Sequence, residues 1–186
     1  MVLELKRTTY EEFRQMEFDG NDNFYYELIN GEIVKKSAPS PQHQRLSKNL
    51  FRQLDKYIIE TKKGEIFYAP IDVFLDQYCV PQPDLVFVST PNAHHITKHG
   101  IECVPDLVVE VISPSSVIRD RIEKKNIYEN FGVKEFWLID PQNEEVEIYF
   151  LENKRYELLS AASRIEGELK SNIFADLKID LKEIFE

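Results

Sequence analysis

Three carboxylates stand where they could do chemistry: Asp84 in "QPDLVFVS", and Asp106 and Glu110 in "VPDLVVEVIS". The centre of the second stretch, Leu107 to Ile112, reads as a buried strand. Side chains on a strand alternate faces, so Asp106, Val108 and Glu110 point the same way. A buried charge without a partner is costly, so Glu110 has to be neutralised, paired with a cation or bound to a metal. Asp84 precedes Glu110 by 26 residues, and Lys124 or Lys125 on the next helix could return over the same sheet end. Metal-assisted phosphodiester hydrolysis uses such a set. Two hard carboxylate oxygens suit Mg²⁺ or Mn²⁺, and an ammonium beside the attacking water stabilises the developing negative charge.

Other residue types offer less. The tetrad Pro-Asp-Leu-Val occurs at both Pro83 and Pro105, and proline alone explains itself as a strand entrance, where its missing N–H costs no ladder bond. His94, His95 and His99 could form a zinc site of a hydrolase, but H-H-x-x-x-H lacks the helical spacing of the strong zinc motifs. Cys79 and Cys103 have no close partner and read as core residues. No G-x-S-x-G is present, and with only 6 glycines there is no Gly-rich phosphate loop.

The elements that must position the carboxylates follow from pattern and punctuation. Thr8/Glu11 and Thr9/Glu12 each offer a capping-box start to a short first helix. Asn30-Gly31 between two apolar runs predicts a hairpin. Ser40 as N-cap, Pro41 at the first position and Gly64 past the end frame a helix of about five turns, with Leu46, Leu50, Leu54, Tyr57 and Ile58 on its apolar face. Lys48, Arg52, Lys56, Lys62 and Lys63 lie on its polar face, either solvated or in contact with a phosphate backbone. "EIFYA", "IDVFL", "DLVFVS" and "DLVVEVIS" read as strands, with the polar stretch "TPNAHHITKHGIEC" as a mobile loop near something functional. Ile118, Ile122, Ile127, Tyr128 and Phe131 mark a second helix that Gly132 stops, and "VKEFWLID" returns as a strand parallel to "DLVVEVIS". A hairpin and one turn of helix capped by Asp180 close the chain. The expectation is an α/β (α+β) fold over residues 1–186 as one domain, a central mixed β-sheet flanked by helices with N-terminal and C-terminal hairpins.

A formal net charge of −10 disfavours broad adhesion to nucleic acid, although a local basic patch or a bound divalent metal could still admit phosphate. No run approaches the roughly 18 apolar residues of a membrane span, and the start resembles no signal peptide, so the expected compartment is cytoplasmic.

"QPDLVFVS", "PDLVVEVISPSS" and "RDRIEKKNIYENFGVKEFWLIDP", with "YYELINGEIV" and "SPQHQRLSKNL" before them, resemble the Uma family of restriction-endonuclease-like proteins in the PD-(D/E)XK nuclease superfamily. The resemblance covers roughly residues 7 to 184. It implies a restriction-endonuclease-like core, DNA as substrate, Mg²⁺ or Mn²⁺ as cofactor and a homodimer. Asp84 matches the acid of the first motif and Glu110 that of the second. Ile112 stands where the superfamily places its Lys, and the match in the following helix is Lys124. The Val111 carbonyl would be the third protein ligand, and Glu27 matches an auxiliary acid that touches a water or a second metal. Asp120 would orient Lys124, or form an exposed pair with it of little weight. His43 matches a position near the helix start, a phosphate contact or part of the cap. Asp106 remains open, as outer shell or as structure. The other class of function is a catalytically silent binding module, motivated by the charge and by Ile112.

Overall fold

Local punctuation sets the first elements of the computed structural model, which describes residues 6–18, 24–114 and 116–186. Thr9 and Glu12 form the capping box that opens α1 (Tyr10–Arg14). Asn30 and Gly31, at φ 52° and 84°, turn β1 (Phe24–Ile29) into β2 (Glu32–Ser37) as a separate two-stranded sheet. Ser40 caps α2 (Pro41–Thr61), which buries Leu46, Leu50, Leu54 and Ile58. The helix stops two residues earlier than the glycine suggests, with Lys62 in the left-handed conformation. Gly64 instead opens β3 (Gly64–Tyr68), where a Cβ would lie 2.1 Å from the Val88 carbonyl oxygen.

The remaining elements are β4 (Leu85–Ser89), a 3₁₀ turn (Thr90–His95), β5 (Ile96–Thr97), β6 (Gly100–Ile101), β7 (Leu107–Val111), a π-helical segment (Arg119–Lys124), α3 (Lys125–Phe131), β8 (Glu135–Asp140), β9 (Glu145–Glu152), β10 (Arg155–Ser163) and α4 (Leu181–Ile184). The central sheet runs β10-β9-β8-β7-β4-β3, and only β7 and β8, joined through α3, pair in parallel. Period two sorts its side chains onto two cores. Leu85, Phe87, Leu107, Val109 and Val111 pack under α2, whereas Val86, Val88 and Val108 pack with Ile127 and Tyr128 of α3.

Three expectations fail for identifiable reasons. "IDVFL" is no strand, because Val73 and Leu75 donate to the Pro81 and Cys79 carbonyls and only Val73 makes an isolated bridge, to Ile101. The stretch after β4 is not a structureless loop but the 3₁₀ turn and the β5–β6 pair. In the crossover, Ile118 and Ile122 are 69% and 56% exposed while Asp120 and Lys124 are buried. The π segment thus turns its polar residues inward, towards carboxylates that need a cation. No helix among the described residues is long and apolar enough to cross a membrane.

Candidate metal and phosphate site

The two Pro-Asp tetrads part company because β4 and β7 are antiparallel. Asp84, just before β4, accepts the Val111 N–H at Oδ2 (2.7 Å), and Asp106, just before β7, accepts the Ser89 N–H at Oδ2 (2.9 Å). Each aspartate caps the far end of the neighbouring strand. In this register Asp106 falls opposite Val88, four residues from Asp84, so at roughly 3.4 Å each the two lie about 14 Å apart along the strands. Asp106 also receives Lys134 Nζ (2.7 Å) and Asn92 Nδ2 (3.2 Å), so it is a saturated structural carboxylate away from Glu110's end of the strand.

At the Asp84 end, Glu110 Oε1 accepts Lys124 Nζ (2.8 Å) and the Tyr128 hydroxyl (2.7 Å). The second face of Lys124 meets Glu27 Oε2 at 3.6 Å, and Glu27 Oε2 also takes the Gln82 N–H (3.1 Å) and faces Lys36 Nζ at 3.6 Å. His43, in the first turn of α2, meets Asp84 Oδ2 through Nε2 at 3.1 Å. Glu27, Lys36, His43, Asp84, Glu110 and Lys124 line one cavity of about 510 Å³. Arg119 and Asp120 stand on its wall as well. Strand β1, the start of α2, the entrance of β4, the end of β7 and the π segment therefore each deliver a side chain to one place.

Burial and neighbouring charge split the acids. Burial, reinforced by Asp84 and Asp120 and opposed by Lys124, pushes the Glu110 carboxyl up to about 7. Burial would also raise Asp84, but the His43 hydrogen bond and charge, Lys36 and the Val111 N–H hold it below the ordinary range. For Glu27 burial is likewise outweighed, by Lys124 and Lys36, and its carboxyl is lowered. Burial disfavours the Lys124 ammonium, yet Glu110, Glu27 and Asp120 together keep it charged well above its ordinary value. Asp84 likewise raises His43 against the effect of burial.

The donor set fits a hard divalent cation. Glu27 Oε1 is buried without a hydrogen-bond partner, and Asp84 Oδ1 and Glu110 Oε2 have none among the described residues. Continuing the register of Leu85 with Val109 by two residues would set Pro83 opposite Val111. Proline has no N–H to give, so this Pro-Asp pair denies the Val111 carbonyl a partner on that strand. Among the described residues no three His, Cys, Asp or Glu side chains are grouped so as to hold a metal by themselves. Zinc in a closed site would need such a group, whereas Mg²⁺ takes one or two carboxylates and keeps waters. His94 and His95 are ring neighbours at 4.0 Å, but with His99 they form no such group.

Of the two lysines, Lys124 is in the site, whereas Lys125 Nζ lies 3.5 Å over the Tyr149 ring. Asp120 forms no exposed pair with Lys124. It is buried and accepts the Ser116 hydroxyl, while burial raises its carboxyl. Ile112 is buried in the α3-side core, so the cation expected there arrives from the helix instead. Lys36 and Arg119 were missed from sequence, and the only signal for Lys36 is its place in β2, two residues beyond Val34, the partner of Glu27, and so on the same face of the hairpin. A further buried acid, Glu135, lies outside the cavity wall. It is consumed by Trp137 Nε1 (2.6 Å), Ser171 Oγ (2.7 Å) and the Asn172 N–H (2.9 Å), which clasp the C-terminal segment to β8.

Known proteins share this arrangement of elements. A solved structure described as "a putative nuclease belonging to DUF820" from Anabaena variabilis superposes with a TM-score of 0.75 over 95% of this chain and 97% of its own, at 18% identity. In sequence, an "Uncharacterized protein" of Synechocystis sp. is 27% identical over 181 residues, 96% of this chain and 99% of that protein. The model of the Uma2 family, described as "Putative restriction endonuclease", matches residues 10–182. That span takes in every residue of the cavity, and the chain belongs to the Uma2 family.

Proposed function

We propose that the protein is a divalent-metal-dependent endonuclease that hydrolyses DNA phosphodiester bonds, with Mg²⁺ or Mn²⁺ held by Asp84, Glu110 and the Val111 carbonyl. The observation that carries this reading is a convergence: Asp84, Glu110 and Glu27 each keep an oxygen that no described protein group uses, beside the buried ammonium of Lys124. The bound cation supplies positive charge that acidifies water and offsets the charge of the phosphate. Lys124, kept charged by its carboxylates, stabilises negative charge building on the phosphate oxygens. Glu27 holds Lys124 from behind, Tyr128 fixes Glu110, and His43 with the Val111 N–H fixes Asp84. Lys36 and Arg119 on the cavity wall make it receptive to an anion. Two cuts across a duplex need two such sites, which a homodimer provides.

Supercoiled plasmid supplied with Mg²⁺ or Mn²⁺ tests this. Wild-type protein nicks it, and Glu110→Ala or Asp84→Ala lowers the rate by about 100-fold or more. Absence of nicking by the wild type, or undiminished nicking by Glu110→Ala, sinks the assignment.

A second reading, a nuclease-fold binding module without catalysis, is favoured by Ile112 in the lysine position and by the occupation of Glu110 Oε1 by both Lys124 and Tyr128. It is separated from the first by whether the site takes a metal at all.

A further inference from the structure

The long helix leads away from the cavity with its cations unspent. His43 and Gln44 in its first turn line the cavity, and Arg45, Lys48, Arg52 and Lys56 follow at spacings of three, four and four residues along one face. All four are exposed, and none forms an ion pair with a described residue. From Arg45 to Lys56 the helix rises about 16 Å at ~1.5 Å per residue. One strand of B-DNA carries a phosphate every ~3.4 Å of axis, so the row spans roughly five phosphates.

The charge there opposes that of the whole molecule. Residues 41–63 hold six Lys and Arg against two acids in a chain of net charge −10. A surface groove continues the row, lined by Arg52 and Lys56 together with Lys178 and Lys182. Glu166, Asp180 and Glu183 share that groove, but Asp180 Oδ1 is engaged by the Lys182 and Glu183 N–H groups at the start of α4. Exposed cations without partners cost little to hold apart in water and release counterions when they meet phosphates.

We propose that Arg45, Lys48, Arg52 and Lys56 form a track for the phosphate backbone of duplex DNA, along which the substrate is aligned so that one phosphodiester reaches the cavity beside His43. The inference rests on the nuclease reading for the identity of the polyanion, but not for its test. Binding of a labelled duplex is followed by fluorescence anisotropy across a salt series, with Ca²⁺ in place of Mg²⁺. The variants are Arg45→Gln/Lys48→Gln/Arg52→Gln/Lys56→Gln and, as a control away from the helix, Lys98→Gln/Lys154→Gln. Circular dichroism confirms that each is folded.

The track predicts that the quadruple variant binds at least tenfold more weakly at about 0.1 M salt. Its slope of log affinity against log salt should be shallower by about 3 to 4, at ~0.9 per phosphate contact. The control keeps the wild-type slope. An unchanged slope in the quadruple variant, an equal loss in the control, or no salt-dependent binding by the wild type overturns the track. Plasmid nicking is scored apart: a wild type that binds along the helix but never nicks keeps the track and loses the nuclease, and nicking with an unchanged slope does the reverse.

Discussion

Lys124 is the cation on which two buried carboxylates of the cavity converge. Lys124 is 1% exposed and its ammonium lies between Glu110 at 2.8 Å and Glu27 at 3.6 Å, so removing it leaves two buried carboxylates without that cation. Lys124→Met is expected to destabilise the fold by about 3–5 kcal/mol, read as a lower urea midpoint. Adding Glu110→Gln to that variant should recover part of the loss, since one stranded charge disappears with it. Asp106 makes the contrast. Burial would raise its carboxyl, but Lys134 and the Ser89 hydroxyl and N–H outweigh burial and hold it below the ordinary range. The unfolded chain therefore takes up this proton at a higher pH than the folded one. The stability it contributes is complete above the unfolded value of roughly 3.9 and is lost as pH falls through the lower folded value. Acid titration of stability should show a shallower decline below about pH 4 for Asp106→Asn than for the wild type. Plasmid nicking at neutral pH should be unaffected by that substitution, because the site is at the other end of the strand.

Among the elements, β1, β2, the start of α2, the entrance of β4, the end of β7 and the π segment all reach the cavity. A π turn within a helix often accompanies a functional site, and here it brings Asp120 and Lys124 inward while Ile118 and Ile122 face solvent. Strand β3 approaches β4 closely at Gly64. At Gly64 any side chain meets the Val88 carbonyl oxygen at 2.1 Å, and backbone does not yield as a flexible side chain would. Gly64→Ala is expected to cost about 1–3 kcal/mol, seen as a lower denaturation midpoint. The hairpin of β1 and β2 contributes Glu27 and Lys36 from facing strands, so its Asn30-Gly31 turn bears on the site as well as on the fold.

For the molecule as a whole, the proposed metal site ties stability to the cation. A ligand that binds only the native state raises stability by about 2.7 kcal/mol at a hundredfold excess over its dissociation constant. Thermal unfolding should therefore shift upward with Mn²⁺ concentration in the wild type and stay fixed in an Asp84→Asn/Glu110→Gln variant. A wild-type curve indifferent to Mn²⁺ would favour the binding module over the nuclease. The net charge of −10 adds a background that attracts divalent cations and repels DNA, so the proposed nuclease would have to admit phosphate locally, at Lys36, Arg119, Lys124 and the face of α2.

Much of this was legible along the chain. Period-two and helical patterns, with Asn30-Gly31, Ser40-Pro41 and Asp180 as punctuation, determine the hairpins, α2, the main strands and the parallel pair through the crossover, because those signals act over a few residues. An acid inside an apolar strand already requires Glu110 to have a partner. Which partner is a different matter. The two Pro-Asp tetrads are alike in sequence, and only the antiparallel pairing of β4 and β7 brings Asp84 to Glu110 and carries Asp106 to the far end. Lys124 rather than Lys125 came only from the family resemblance, and that Asp120 and Lys124 are buried rather than exposed follows from the fold, since a π turn changes which residues share a face. Strand direction and helical phase arise from contacts between residues far apart in the chain, and the tertiary structure alone decides them.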